Sequence, residues 1–136
     1  MIEFYTDFPP TINNYYVKTR NGIFISKAGK AFRKKVAEDI REQVGGIGRE
    51  PIQERIALTI VLTAPDKRIR DIDNYIKALL DAITHSGLWE DDRLIDQLEV
   101  YRAKPDRELS GAYIKLLDGN PVFSRDNIIR ILGNLE

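Results

Sequence analysis

The sequence is short of the residue types on which many enzymes rely. Its 136 residues include no cysteine and only one histidine, His85. The lack of cysteine excludes disulfides, thiolate zinc sites, iron–sulfur clusters and thiol nucleophiles, and one histidine excludes a multi-histidine metal site within one chain. Any metal centre in a single chain must therefore use mainly oxygen ligands.

Long apolar segments are also absent. Residues 1–5 lack the basic segment and the long apolar run of a signal peptide. The longest uncharged apolar stretch, residues 56–64, has nine residues, whereas a membrane helix needs about twenty. We therefore expect a cytoplasmic protein that has no membrane partner.

The chain has no surplus of positive charge, although strong nucleic-acid binders usually carry one. Its 21 basic and 21 acidic residues give a net charge of zero. The charges are nevertheless separated: residues 17–36 contain seven basic residues and no acid, and residues 71–99 contain eight acids and two basic residues. A basic N-terminal third and an acidic centre leave DNA open as a partner.

The hydrophobic pattern predicts one domain of strands and helices. A chain of 136 residues with 43% apolar residues suits a single core. Asn21-Gly22 between two β-rich runs predicts a hairpin whose two turn residues must accept positive φ. Strands are expected at residues 2–5, 15–17, 23–25, 56–63, 94–102 and 112–117, and helices after Ser26, Arg70 and Ser124, with glycine stops near residues 45 and 87. This order predicts a two-layer α+β or α/β fold.

The first long helix has a basic side. Lys27, Lys30 and Lys34 lie away from its apolar stripe of Phe32 and Val36. Such a stripe is either a solvated helix face or a surface that follows DNA phosphates. Aromatic side chains that could stack on bases lie nearby in the sequence, at Tyr15, Tyr16 and Phe24.

Two acidic groups bracket the second long helix. Asp71 and Asp73 lie where an extended segment enters the helix, so their carboxylates can point to the same side, and Lys77 lies one turn further on. Both could instead cap the helix, and Asp73 could form a surface ion-pair ladder with Lys77 and Asp81. The second group, residues 90–92, is either a solvated turn or joins the first if the chain doubles back. Carboxylates alone suit Mg²⁺ or Mn²⁺, which supports a metal-dependent phosphodiesterase weakly.

Three motifs in order resemble one family. The strings RDIDNYIKA at residues 70–78, DAI at 81–83 and GLWEDD at 87–92 resemble the signature of the RusA family of Holliday-junction resolvases. Residues 9–16 and 26–36 are also similar to that family, and the resemblance covers roughly residues 4–117.

The resemblance implies a role for each matching residue. Asp71, Asp73 and Asp92 match catalytic aspartates that bind Mg²⁺ (with Mn²⁺ as a substitute), Lys77 matches an essential lysine, and Asp91 matches a neighbouring acid, a further candidate ligand. It also implies a homodimer that nicks two strands of four-way junction DNA symmetrically, often encoded by a prophage. The implied fold is an α+β domain in which a mixed sheet packs against two main helices. We expect DNA contacts from Lys27, Lys30, Lys34, Arg70, Asn14 and Tyr16.

Parts of the sequence fall outside this resemblance. We expect residues 1–118 to form the endonuclease domain and residues 119–136 to form an extension with a short helix. The apolar side of that helix (Ile128, Ile131, Leu132 and Leu135) is expected to pack on the core of the chain. Glu90 replaces a residue that is often apolar in the family. His85 at a helix C-terminus is explained by the helix dipole rather than by general-base catalysis.

The sequence therefore predicts a Mg²⁺-dependent endodeoxyribonuclease that resolves Holliday junctions in DNA recombination and repair. Two alternatives remain at this point: a less selective nuclease acting on flaps or forks, and a junction-binding protein that does not cut. Intact carboxylates speak against the second alternative, because acids placed near phosphates do not help a simple binder.

Overall fold

A computed structural model describes residues 1–45, 49–119 and 124–133. These residues form four helices, a short 3₁₀ turn and six strands. In this part of the chain no helix has the length and apolar character needed to cross a membrane.

The centre of the molecule is a mixed four-stranded sheet. Its strands, in spatial order, are β1 (Ile2–Thr6), β6 (Gly111–Asp118), β4 (Ile56–Thr63) and β5 (Ile95–Arg102). β1 and β4 both pair antiparallel with β6, whereas β5 pairs parallel with β4. β4 and β6 therefore occupy the two inner positions of the sheet.

Two long helices cover one face of this sheet. They are α2 (Lys27–Gln43) and α3 (Asp73–Ser86), which pack against each other. β4 alternates buried and half-buried residues, because successive side chains point to opposite faces of a strand. The buried side chains of β4 join those of both helices in one core, which confirms the predicted α+β fold of a mixed sheet and two main helices.

A small hairpin lies apart from the sheet. A short helix α1 (Ile12–Tyr15) precedes β2 (Tyr16–Thr19), which pairs antiparallel with β3 (Gly22–Ile25). The predicted hairpin is confirmed, but its turn is displaced by one residue. Thr19 pairs with Gly22, so the turn residues are Arg20 and Asn21 rather than Asn21 and Gly22. Only the glycine has positive φ, at 128°, and the expectation of two left-handed turn residues was wrong.

The predicted helix ends are confirmed for both long helices. The side-chain oxygen of Ser26 accepts a hydrogen bond from the backbone N–H of Gly29, 2.9 Å away, and so caps α2. Gly87 follows α3 with φ 85°, a left-handed conformation that glycine adopts without a steric cost. These local signals fix where each helix begins and ends.

The C-terminal helix differs from its prediction. Ser124 caps α4 (Arg125–Gly133) as expected, since its Oγ accepts from the N–H of Asn127 at 3.2 Å. None of the residues of α4 is buried, and Ile128, Ile131 and Leu132 are about half exposed. The expectation that this apolar side packs on the core of the chain was therefore wrong. Leu135 lies outside the described residues.

Candidate active site

Asp71 and Asp73 lie at the start of α3: Asp73 is its first residue, and Asp71 precedes it by two residues. The backbone of Ile72 between them is already helical (φ −59°, ψ −38°), and the N–H of Asn74 donates to the carbonyl of Asp71. The two carboxylates therefore do not project from one extended segment as expected, because the backbone at Ile72 has already turned into the helix. Among the described residues neither carboxylate accepts a capping hydrogen bond, although Asp73 in the first turn complements the helix dipole.

Lys77 connects α3 to the second acidic group. Its Nζ lies 3.8 Å from Oδ2 of Asp92, so the chain does double back and brings residues 90–92 to the middle of the helix. Asp81, one turn further along, pairs with Arg33 instead of Lys77. The ion-pair ladder along α3 is therefore absent, and the lysine is directed to Asp92.

The segment before Asp92 is held by backbone hydrogen bonds. Ile52 forms a parallel bridge with Trp89: its N–H donates to the carbonyl of Leu88, and its carbonyl accepts from the N–H of Glu90, both at 2.9 Å. Trp89 is completely buried, and its indole N–H donates to Oγ1 of Thr84 at 2.6 Å. The tryptophan next to the acids thus anchors the loop that presents Asp92.

Asp91 has a structural role in this loop. Its Oδ1 accepts from the backbone N–H of Arg93 at 2.9 Å, which caps the short 3₁₀ turn Asp92–Leu94. This hydrogen bond lowers the pKa of the Asp91 carboxyl. Nη2 of Arg93 also lies 3.6 Å from Oε1 of Glu90. The extra negative charge that Glu90 brings to this position of the family pattern is therefore balanced by a neighbouring cation.

Asp71 and Asp73 differ from the other acids of the acidic centre. Within the described ranges, each of the six other acids between residues 71 and 99 accepts a hydrogen bond or an ion pair: Asp81, Glu90, Asp91, Asp92, Asp96 and Glu99. The carboxylates of Asp71 and Asp73 have no such partner among the residues that the structure describes, and both are exposed. They remain available for an external cation.

The donor set at α3 suits a hard divalent cation. The described residues contain no group of three or more acidic or histidine side chains close enough to hold a metal, so a closed cage of Asp71, Asp73 and Asp92 is not formed. Mg²⁺ commonly takes only one or two carboxylates and completes its shell with water and substrate phosphate. Two unpaired carboxylates on one helical turn fit this pattern.

A buried polar network next to the site was missed by the sequence analysis. Tyr15, which is fully buried, donates its phenol O–H to Oδ2 of Asp81, and Arg33 donates to the same oxygen at 2.8 Å. Burial alone would raise the pKa of Asp81, but these two hydrogen bonds outweigh it and lower the pKa. The three residues come from α1, α2 and α3 and join these helices. Only the match of Asp81 to a family motif pointed to a role.

The network also changes the interpretation of the basic region. Arg33 is bound to Asp81, and Nζ of Lys35 lies 3.0 Å from the carboxylate of the buried Asp39, so both already have an acidic partner within the protein. Tyr15 cannot stack on a base because it is buried. The three lysines of the predicted stripe are all exposed: Lys27, Lys30 and Lys34.

The remaining predicted DNA contacts lie in different places. Lys30 and Lys34 line a groove of about 380 Å³ together with His85 of α3. Asn14 is exposed, and Tyr16 is half-buried with its ring edge-on to Tyr15. Arg70 lies at the entrance to α3, where it pairs with Asp66 at 2.9 Å. Arg70 therefore lies at the N-terminal end of α3, whereas the groove of Lys30 and Lys34 lies at its C-terminal end, beside His85.

The sequence of this chain matches a known protein family. Residues 7–116 match the family model described as endodeoxyribonuclease RusA. The chain belongs to the RusA family. Every candidate site residue of α3 and of the acidic loop lies inside the matched range, and α4 lies outside it.

Individual members of the RusA family are also similar to this chain. The crossover junction endodeoxyribonuclease of Enterobacteria phage HK97 is 34% identical over 100 residues, which cover 74% of this chain and 81% of the relative. The enzyme of the same name from Escherichia coli K12 is 36% identical, and that of Enterobacteria phage 82 is 38% identical. Each of these two alignments spans 96 residues, or 70% of this chain and 77% of the relative.

Proposed function

We propose that this protein is a divalent-metal-dependent endodeoxyribonuclease that resolves Holliday junctions by paired, symmetric nicks. The observation that carries the proposal is the match of residues 7–116 to the RusA family, whose members similar to this chain are named crossover junction endodeoxyribonucleases. A nuclease of this family acts by hydrolysing phosphodiester bonds and is expected to need a divalent metal. We propose Mg²⁺ as the physiological ion, with Mn²⁺ as a substitute.

Asp71 and Asp73 are the proposed primary ligands of this ion. Support comes from their lack of partners among the described residues, since an unpaired acidic pair at one helical turn is best stabilised by a cation. Asp92 is the proposed third acidic group. When bound, such an ion supplies Lewis-acid stabilisation of the phosphate and lowers the pKa of water.

Lys77 is the proposed electrostatic partner of the reacting phosphate. Its Nζ lies 3.8 Å from Asp92, and its side chain is 61% exposed, so the ammonium can move from the carboxylate to a phosphate oxygen. There it would stabilise charge that develops during cleavage. Asp92 keeps the lysine near the site in the absence of DNA.

A homodimer is the proposed active form. Two symmetric nicks on opposite strands need two equivalent active sites, and two-fold symmetry provides them with one kind of chain. The exposed lysines Lys27, Lys30 and Lys34 are proposed to hold the DNA arms through their phosphates.

A cleavage assay with three substrates tests the proposal. The protein is incubated with four-way junction, flap and plain duplex DNA, each with Mg²⁺ or with a chelator. We expect symmetric nicks in the junction only, and none when the metal is removed. Equal cutting of plain duplex would contradict junction resolution and favour a less selective nuclease. Binding without cutting of any substrate would favour a junction-binding protein.

Replacement of one carboxylate tests the site itself. Asp92→Asn is expected to abolish cutting and to leave junction binding, measured by gel shift, nearly unchanged. Glu90→Gln is the matched control, because it removes an acid from the same loop without touching the proposed site, and it should cut normally. Loss of binding together with cutting in Asp92→Asn would speak against a purely catalytic role.

A further inference from the structure

A cleft that the proposed site does not use opens beside Asp71. We name it the Arg70 cleft; it has a volume of about 380 Å³, and its lining includes Phe8, Leu62, Ile69, Arg70, Tyr75 and Arg102. It lies between the ends of β4 and β5 and the entrance to α3. Its size falls at the lower end of the range of small-molecule pockets.

The rim of the Arg70 cleft is strongly basic. Four cations line it (Lys67, Arg68, Arg70 and Arg102) against a single carboxylate, Asp66. Asp66 is paired with Arg70 at 2.9 Å and accepts from the backbone N–H of Arg68 at 3.0 Å. Its charge is therefore largely compensated, and the rim presents a positive field to any ligand.

The floor of the Arg70 cleft is apolar and aromatic. Phe8 and Tyr75 pack with ring centroids 4.9 Å apart, and the guanidinium of Arg70 lies 5.5 Å from the centroid of the Phe8 ring. Leu62 closes the base of the cleft. Aromatic and apolar walls below a cationic rim suit a nucleobase and its phosphate.

The loop that forms the rim is held in place. Arg102 of β5 donates to the carbonyl of Arg70 at 2.9 Å, and Arg70 donates to the carbonyl of Asp66 at 3.1 Å. These bonds tie the loop to the sheet edge and to itself. A preformed cleft loses less entropy on binding than a flexible one.

Ile69 stands at the mouth of the Arg70 cleft and is 99% exposed. Its side chain contributes nothing to the core, yet it is a large apolar group between two arginines. Apolar side chains in such settings insert between base pairs and unstack them, while neighbouring cations hold the phosphates.

We propose that the Arg70 cleft receives one unstacked nucleotide of the branched DNA, with Ile69 as the wedge that separates it from its neighbour. The proposal rests on the proposed function, since it needs DNA at Asp71. It adds a determinant of where the nuclease cuts, because a nucleotide held in this cleft fixes the position of the next phosphate relative to α3.

Fluorescence of 2-aminopurine tests the proposal without cleavage. The base analogue is placed at successive positions around the branch point, and the protein is added in chelator. We expect a several-fold rise at one position on each of two opposite strands, because unstacking relieves quenching. With Ile69→Ser, the 2-aminopurine fluorescence should stay at the level of the free junction. Ala103→Leu, which fills the cleft, should give the same result.

The matched control is Leu109→Ser, a substitution of another exposed apolar side chain (75% exposed) outside the cleft. It should keep the full fluorescence rise. Junction binding and symmetric cutting without a rise at any position would overturn the cleft proposal alone, as would an undiminished rise in Ile69→Ser. A protein that neither binds nor cuts junctions would overturn the proposed function, and the cleft proposal with it.

Discussion

At the scale of single residues, the partners of each carboxylate separate structural acids from available ones. Spacing in the sequence allowed an ion-pair ladder from Asp73 through Lys77 to Asp81, because spacing alone cannot reveal a partner from another element. In the structure Asp81 is bound to Tyr15 and Arg33, whereas Asp71 and Asp73 have no partner among the described residues. The motif match proposes Asp71, Asp73 and Asp92 as site residues, and tertiary contacts separate them from Asp81, which supports the fold.

Substitution of Asp81 tests the supporting network. Asp81→Asn should destabilise the protein by about 2 kcal/mol at neutral pH, because charged hydrogen bonds to Tyr15 and Arg33 weaken while those donors stay partly buried. The pKa of Asp81 is lowered in the folded state, so its stabilisation is present above the ordinary value of 3.8 and is lost as the pH falls through the folded pKa. Urea unfolding at neutral and acid pH should show this difference shrinking in acid.

A similar tyrosine–carboxylate pair on the surface provides the control. Tyr113 donates to Oε2 of Glu3 at 2.6 Å, and both residues lie at the outer face of the sheet. Glu3→Gln should change stability much less, because an exposed pair exchanges its bonds with water. A large effect of Glu3→Gln, or a difference for Asp81→Asn that persists in acid, would contradict the assigned network.

At the scale of elements, local signals were enough to predict helix ends and most strands. Ser26 and Gly87 act through their own neighbours in the chain, so their roles can be derived from the sequence. The hairpin turn was displaced because Gly22 takes a strand position with positive φ. The order of the strands in the sheet could not be predicted from the sequence. β4 and β5 are joined through a helix, and local sequence signals do not specify which strands become neighbours.

One glycine shows how closely α1 and α2 pack. A methyl group at Gly29 would meet the carbonyl oxygen of Tyr15 and would lie 2.8 Å from Cγ1 of Ile25. Gly29→Ala should therefore destabilise the protein by about 1–3 kcal/mol, despite the better helix propensity of alanine. The midpoint of thermal unfolding measures the change.

Another helical glycine is the matched control. A methyl group at Gly133 of α4 would have no atom within 4 Å. Gly133→Ala should leave stability unchanged or slightly higher, because only helix propensity changes. Equal behaviour of the two variants would mean that α1 and α2 are less tightly packed than the structure indicates.

At the scale of the whole molecule, the zero net charge conceals an uneven distribution. Two of the seven basic residues between residues 17 and 36 are bound to buried or half-buried carboxylates, and the lysines of the α2 stripe are exposed. The acids at α3 would be neutralised by a bound cation. DNA affinity should therefore depend on both metal and salt.

The salt dependence of junction binding tests the lysine stripe. The logarithm of the binding constant should fall linearly with the logarithm of salt concentration. Lys27→Gln, Lys30→Gln and Lys34→Gln should each lower the steepness of this line by about 0.9 if that lysine contacts a phosphate. Fluorescence anisotropy with a labelled junction, in chelator, measures the slope.

Lys115→Gln provides the comparison for these variants. Lys115 lies on β6 opposite Glu3 of β1, away from α2, and its substitution should leave the slope unchanged. If none of the three lysine substitutions changes the slope, the stripe is a solvated helix face that does not contact DNA phosphates.

The pairing of the first strand with the last has a consequence for how the chain is made. Within the part of the chain that the structure describes, β1 pairs only with β6, and the hydrogen bond between Glu3 and Tyr113 joins positions 110 residues apart. Contacts this distant in sequence form late and slow the folding of a domain. During translation, β1 therefore has no partner strand until β6 has left the ribosome. The nascent chain therefore acquires its complete sheet, and the ordered surroundings of α3, only at the end of synthesis of the family domain.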